Sequence, residues 1–426
     1  MSNVAKFPRA VRPAPSPLGL YFRAGRNDHR VLSELIAAGD ASCTGIVVDA
    51  THADRHKELR AQAVEHRIHV ILDPKTMEMA TPGGFTDAQS KLPWGTGGQH
   101  HADDFRGHAG QRLIGALGDF AVEGGYTQVL APTHLIESVD DGWLDIDIQS
   151  VQLLRAHLDR ETNGQVSIIY PLVVPYGVLR DRSQRHAIVD ALRSVNVDAI
   201  WLRVGGISAS AGTPAAVKSY ISAAADFHAL GLPVVADQIG GLFGLSLLAF
   251  GAVGGLSHGI TMGERFDHGR YRRTSNGTRF TPSRKVYVPA LDLMLKPTLA
   301  EELVRSSPRN KAMFGCRDKH CCARGIDDML GNPARHFMVQ RTKEVSGLSQ
   351  IPESLRPQRF LDKHLRPATD AAVAATAVSW SDDGMRAKTE KHRKRLDAMR
   401  ITLGNQAAKH PPASFAKHPK TLAMTG

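Results

Sequence analysis

The sequence predicts an α/β fold, a (β/α)8 TIM barrel carrying a C-terminal zinc-binding knuckle and a basic helical tail. Three observations lead there. Short, nearly continuous apolar runs alternate with longer segments of helical period from residue 18 to about 261. Apolar runs joined by helices make parallel strands buried on both faces. Eight such units in about 245 residues suit a closed barrel better than an open, doubly wound sheet.

In chain order the strands read LGLYFRA (18–24), GIVVDA (45–50), HVILD (69–73), QVLAP (128–132), VSIIYPLVV (166–174), AIWLRV (199–204), PVVAD (233–237) and VGGLSHGI (253–260). Helices are expected between them near 28–39, 53–66, 105–124, 145–162, 182–195, 213–230 and 240–251. The connection after the third strand, about 74–104, is long and leaves the strand end where barrels build their active sites. The chain divides into a flexible Pro/Ala-rich arm (1–17), the barrel (18–262), a basic hairpin and Cys/His subdomain closing the barrel (263–350), and a basic, partly disordered tail (351–426).

Composition narrows the classes. With 42% hydrophobic and 22% charged residues, the 426-residue chain can bury a sizeable core, which excludes collagen-like and wholly disordered proteins. No apolar run approaches the roughly 18 residues of a membrane helix, and the N-terminus lacks the apolar core of a secretory signal. Four cysteines, three of them within seven residues, suit a reducing cytoplasm and a metal better than a disulfide framework. The expected setting is therefore soluble and cytoplasmic. Net charge is +11, and six of those charges lie from about residue 381 onward, with ten Lys/Arg against four Asp/Glu. Such an excess favours polyanionic partners such as nucleic acid.

In a barrel, polar residues at strand C-termini face one mouth. Here they are Arg23, Asp49, Asp73, Lys75, Thr133, His134, Tyr176, Arg203, Asp237, Gln238, Ser257 and His258. So many charges are costly to desolvate without a ligand. Asp73 and Asp237 each end an apolar run, where a carboxylate can serve as base, nucleophile or acceptor, or simply cap the next helix. Arg203 lies inside a strand and needs an anionic partner, for which Asp237 on the next strand is placed. Glycine pairs at 205–206, 240–241 and 254–255 allow close backbone approach to a ligand or a neighbour.

CRDKHCC (316–322), followed by His336 after thirteen intervening residues, has the composition of a tetrahedral Cys3His zinc site, of structural type. Cys316, Cys321, Cys322 and His336 are the expected ligands, with His320 as a substitute because adjacent cysteines seldom both reach one ion. The stretch 265–280 mixes Arg265, Arg270, Arg272 and Arg273 with Tyr and Phe, a composition suited to phosphates and exposed bases.

A barrel followed by a basic hairpin and a Cys3His knot resembles the tRNA-guanine transglycosylase superfamily, including relatives that insert 7-deazaguanines into DNA. VGGIS (204–208) resembles the family's GGLAVGE strand, whose backbone contacts the base. HVILDPKT (69–76) is placed like the strand ending in the family's conserved Asp, and VVPYGVLRD (173–181) resembles its VQGG strand end. Two features depart from the family: the zinc pattern is CxxxxCC rather than CxCxxC, and GGLSHGI lacks the nucleophilic Asp of an FDC-like context.

The resemblance implies base exchange in DNA or tRNA through a covalent sugar–enzyme intermediate, with a free modified base as co-substrate. Asp237 would be the nucleophile and Asp73 the acid/base. His258 joins them as a third catalytic candidate, from its place at the mouth. Arg203, Gly205, Gly206 and Tyr176 would bind the base; Arg270, Arg272 and Arg273 would bind phosphates. A homodimer or accessory subunit is compatible with it. Two other readings fit the residues. One is a non-catalytic nucleic-acid-binding protein on the same scaffold. The other is a barrel enzyme for a small phosphorylated metabolite, using GGLFG (240–244) and GGLSHG (254–259) as phosphate cradle and His258 with Asp73 for proton transfer.

Overall fold

The computed structural model describes residues 17–40, 42–273, 284–409, 412 and 414–422. Eight parallel strands close into one barrel in sequence order: β1 (Gly19–Ala24), β2 (Gly45–Asp49), β3 (His69–Asp73), β4 (Gln128–Leu130), β5 (Ser167–Pro175), β6 (Ala199–Gly205), β7 (Val234–Asp237) and β8 (Gly255–Gly259). β8 returns to β1 with Phe22 beside His258. The expected TIM barrel is present.

The helices that cross between strands are α1 (His29–Ala37), α2 (Lys57–Glu65), α3 (Gly107–Glu123), α4 (Trp143–Thr162), α5 (Arg182–Leu192), α6 (Pro214–Ala224) and α7 (Gly241–Ala249). Their starts follow local chemistry. Asp181 caps α5 by accepting from the Ser183 and Gln184 amides, and Thr213 caps α6 ahead of Pro214. Two-residue alternation sends Leu20, Phe22, Val70 and Leu72 outward into the layer under the helices. It sends Tyr21, Val47, Ile71, Leu130, Ile169, Trp201 and Val235 inward as one apolar layer across the barrel.

The long connection after β3 is packed. Trp94 is buried and donates from Nε1 to the Pro74 carbonyl at 3.0 Å. Beyond the barrel, β9 (Val286–Val288) and β10 (Leu293–Leu295) pair antiparallel. Helix α8 (Pro333–Ser349) follows the cysteines, and helix α9 (Asp383–Lys409) packs on the barrel beside α6. The basic hairpin expected after the barrel would turn at the SNG of 275–277, which falls in 274–283, outside the described residues, as does the arm to residue 16.

The tail differs from expectation. Residues 414–422, read as disordered, run across the bottom of the barrel. The Ala416 amide donates to Gly251 at 2.8 Å, Lys417 bridges Pro233, and His69 Nε2 donates to the Lys420 carbonyl at 3.2 Å. Backbone hydrogen bonds and Pro419 packed on Gly19 hold this strap, so its order needs no apolar periodicity. Among the described residues no helix is long and apolar enough to cross a membrane.

Candidate functional site

The inward layer above the apolar floor is charged. Parallel register sets Asp49 beside Asp73 and Arg203 beside Asp237. Arg23 on β1 ties the two acids together. Its Nε donates to Asp237 Oδ1 at 2.8 Å, its Nη2 to Asp237 Oδ2 at 2.7 Å, and its Nη1 to Asp73 Oδ2 at 2.5 Å. Arg203 Nε also donates to Asp237 Oδ2, at 2.8 Å. Burial alone would raise both carboxyls. Lys75, Arg23 and Arg203 hold Asp73 below the ordinary carboxylate range, and the two arginines do the same for Asp237.

Lys75 follows β3 with left-handed backbone, φ 63°. That geometry turns its ammonium to Glu78 Oε1 at 2.6 Å, with Asp49 at 3.6 Å and Asp73 at 3.9 Å. Burial would lower its pKa, but Glu78, Asp73 and Asp49 outweigh burial and raise it. Lys75 is thus a fixed cation rather than an amine nucleophile.

A recess of about 10 Å³, the room of roughly one water, is lined by Asp73, Glu78, Thr133 and Arg203. Glu78 Oε2 and Arg203 Nη2 are buried there without a hydrogen-bond partner among the described residues. Arg203 Nη2 stands 3.7 Å from Asp73 Oδ2, an ion pair too long for a hydrogen bond. Above the recess Phe266 and Tyr271 pack with Met77, Leu135 and Val173 as an apolar cap. The cap, residues 260–273, is stitched to neighbouring loops by the Ser208–Arg265 bridge and by the Gly206 amide donating to Phe266 O at 3.3 Å.

The structure thus brings Asp73, Asp237 and Arg203 together with Arg23 and Lys75, which the sequence also places at the mouth, and adds Glu78. Glu78 was not singled out from sequence. Its signal was the spacing Lys-x-x-Glu directly after a strand that ends in Asp.

His258 is a correction of placement. It alternates with Ser257 and faces away from the mouth, its ring 5.6 Å from both Phe22 and Phe337. His134 also faces outward, with Nδ1 2.6 Å from Asp147 Oδ1 and its ring stacked on Trp143. Gly205 and Gly206 lie beneath His268 of the cap, where a side chain at 205 would strike the imidazole. Tyr176 is half-buried at the start of the short helix Tyr176–Arg180, packed against the hydrophobic layer. Arg265, Arg270, Arg272 and Arg273 are exposed on the cap. There Arg270 sits over the Tyr271 ring and Arg272 Nε donates to Glu137 at 2.7 Å.

The GGLFG part of the expected phosphate cradle is filled from within. At the N-terminus of α7, Asp292 Oδ2 accepts from the Leu242 amide at 2.7 Å. Gly241 has φ 63°, and any Cβ there would come within 2.7 Å of that carboxylate. Glu264 covers Gly240 in the same way.

The second cluster is a candidate metal centre. Ligand atoms of Cys316, Cys321, Cys322 and His336 all lie within 4.8 Å of one another. His336 Nδ1 is 3.3 Å from Cys321 Sγ and 3.5 Å from Cys322 Sγ, and the two sulfurs are 3.6 Å apart. A zinc tetrahedron with bonds of about 2.0–2.3 Å has edges of about 3.5–3.8 Å, so the donor set fits. His336 sits in the first turn of α8, behind the Asn332 cap, and its Nε2 donates to Tyr287 O at 3.1 Å, which aims Nδ1 at the thiols. His320 is exposed and turned to Asp40, 2.5 Å away, so it leaves the ligand role to Cys322. A metal such as zinc, closed in by four protein ligands, would be structural.

No family model matches the sequence, and no curated protein matches it. Among solved structures the chain is similar to thiamine phosphate pyrophosphorylase from Pyrococcus furiosus, with 12% identity over 60% of this chain and 92% of that one, TM-score 0.30. It is similar also to the HpcH/HpaI aldolase from Desulfitobacterium hafniense, at 12% identity over 58% and 87%, TM-score 0.33. A third is 3-dehydroquinate dehydratase from Enterococcus faecalis, at 12% identity over 58% and 91%, TM-score 0.33. Nothing about substrate or reaction follows from likenesses this distant.

The buried histidines make acid lability an expected property. Burial pushes His258 down to about 3 and His56, His100 and His392 down to about 4. These side chains stay neutral in the folded chain, whereas in the unfolded chain they take up protons below about 6.5. The share of stability that these histidines supply is therefore complete above about pH 6.5 and falls as pH drops toward 4. Each fully buried histidine contributes a slope of about 1.4 kcal/mol per pH unit. Urea midpoints should fall between pH 7 and pH 5, and His258→Leu should flatten that fall. Equal midpoints at the two pH values would contradict it.

Proposed function

We propose that this chain is a base-exchange glycosyltransferase that replaces guanine in DNA or tRNA with a 7-deazaguanine at the barrel mouth. The observation that carries the reading is a pair of buried charged atoms in one small recess, Glu78 Oε2 and Arg203 Nη2 beside Asp73, neither with a hydrogen-bond partner among the described residues. Buried charged atoms without partners call for a ligand or water. A carboxylate beside a guanidinium offers acceptors and a donor in the order that a guanine edge requires: N–H groups to the acid, carbonyl oxygen to the arginine.

Asp237 has both oxygens engaged by arginines, which suits a positioning residue better than a nucleophile. Asp73 lines the recess, and among the described residues its Oδ1 accepts only from the Lys75 amide, at 3.1 Å. In this reading Asp73 attacks C1′ and the C1′–N bond breaks with its electron pair on the leaving base. Glu78, paired with Lys75 at 2.6 Å, accepts the N–H groups of that base, and the proton the leaving base takes up comes from water. The ring nitrogen of the incoming base then bonds to C1′ and gives up its proton to water, while the C1′–O bond to Asp73 breaks with its electron pair returning to the carboxylate. The target nucleotide must be turned out of any stack and the cap must lift. Arg265, Arg270, Arg272 and Arg273 on the cap would hold flanking phosphates.

A second reading, nucleic-acid binding without catalysis, is favoured by the same engaged Asp237 and closed cap. The metabolite reading is weakened by Asp292 in the α7 cradle. One experiment separates them. The zinc-loaded protein is incubated with 7-deazaguanine bases and either tRNA or duplex DNA, and nucleosides are measured by mass spectrometry. Base exchange predicts a new nucleoside in one polymer and its loss in Asp73→Asn. Steeply salt-dependent binding with no new nucleoside would favour the second reading. Product formation undiminished in Asp73→Asn would remove Asp73 from the mechanism.

A further inference from the structure

The cap is fastened to the metal centre by a continuous set of contacts. His336 shares one imidazole between the cysteines, through Nδ1, and the Tyr287 carbonyl, through Nε2. The Tyr287 ring lies under Arg341 of α8, 4.2 Å from its guanidinium carbon, and Arg341 Nη1 donates to the Tyr287 hydroxyl at 2.7 Å. The same guanidinium reaches Glu344 at 2.7 Å, Asp292 at 3.1 Å and Glu264 Oε1 at 2.8 Å. Glu264 belongs to the cap, two residues before Phe266. Arg341 is the only cation paired with it among the described residues.

The geometry requires Arg341 to stay where it is. It is 2% exposed and serves three carboxylates, so no water is at hand to replace it if α8 shifts. α8 is set at its start by His336, five residues earlier and so within a turn and a half. On its far side the cap carries hydrogen bonds over the mouth. It accepts from Gly83 at Tyr271 O (2.8 Å), from Gly206 at Phe266 O (3.3 Å) and from Ala209 at Glu264 O (3.2 Å).

We propose that the Cys3His centre, acting through Arg341 and Glu264, latches the cap over the barrel mouth, so that loss of its metal or of the Glu264–Arg341 contact frees the cap while the barrel stays folded. Glu264 and Arg341 are positioning residues in this scheme. As a device that governs access to a working site, the latch rests on the reading of the mouth given above. Its physical content is independent of the reaction.

Amide hydrogen exchange of the full chain tests it without substrate. Removing zinc with a chelator should speed exchange at Gly83, Gly206 and Ala209 about tenfold, with the strand amides of the barrel unchanged. Glu264→Gln should do the same in protein that still holds one zinc per chain. Unchanged protection of these three amides after confirmed metal loss would overturn the proposal, as would an unaltered cap in Glu264→Gln. Loss of protection throughout all eight strands would overturn it too, because the metal would then be a global staple. A protein without base exchange can still pass every arm.

Discussion

Asp237→Asn is expected to lower unfolding stability by about 3–5 kcal/mol. The carboxylate is fully buried and accepts three hydrogen bonds from two arginines, at 2.7–2.8 Å. Arg203 is 2% exposed and lies on the neighbouring strand, so it cannot turn to water without leaving the barrel interior. An Asn keeps the shape. It removes the charge and points an N–H₂ group at a guanidinium, leaving Arg23 with Asp73 alone and Arg203 with a distant Asp73. Breaking a buried pair from one side is the costly case, because the uncompensated charge remains. The double variant Asp237→Leu with Arg203→Met should recover much of the loss, since replacing both partners removes the stranded charge. Chemical denaturation of the three proteins measures both quantities. A nucleophile held ready in an open site behaves differently: its removal leaves stability unchanged or improved and acts on turnover alone. A loss below about 1 kcal/mol in Asp237→Asn would return Asp237 to that role.

The same cluster shows what the sequence could disclose. Asp73, Arg203 and Asp237 end or interrupt apolar runs, and a charge within such a run has to meet an opposite charge across the sheet. The pairing of Arg203 with Asp237 was readable from adjacent strands. The face of His258 was not. Parallel strands in a barrel are buried on both sides, so the apolar residues around Ser257 and His258 do not mark which side is the interior. The Cys3His set was legible as a group, but the choice between His320 and Cys322 was settled by Asp40, which meets His320 only in the fold. Long-range contacts also decide the cap. Phe266 and Tyr271 read as aromatics among arginines, suited to exposed bases, and they instead turn inward on Met77 and Val173. The glycines of GGLFG correctly signalled close approach. The group that approaches is Asp292, from fifty residues further on.

Cys322→Ala is expected to abolish stoichiometric zinc binding and cost on the order of 5 kcal/mol of stability in the C-terminal unit. A closed four-ligand site supplies about 10–16 kcal/mol of apparent binding energy in small zinc domains, and an alanine leaves three ligands and an open coordination position. Cys322 is 1% exposed, lies with its sulfur 3.6 Å from that of Cys321, and belongs to the hydrophobic core. The substitution therefore removes a metal ligand and also opens a small void, and the two effects separate experimentally. Cys322→Ser nearly preserves the volume and should lose metal almost as completely, so the difference in stability between the two variants isolates the packing share. His320→Ala is the complementary test. Its imidazole faces Asp40 at the surface, so zinc content should stay at one per chain and stability should change by less than about 1 kcal/mol. Zinc lost in His320→Ala but retained in Cys322→Ala would reverse the ligand assignment. Metal retained in both variants would leave Cys316, Cys321 and His336 as a three-ligand site with an exchangeable fourth position, which is the arrangement of a catalytic rather than a structural ion.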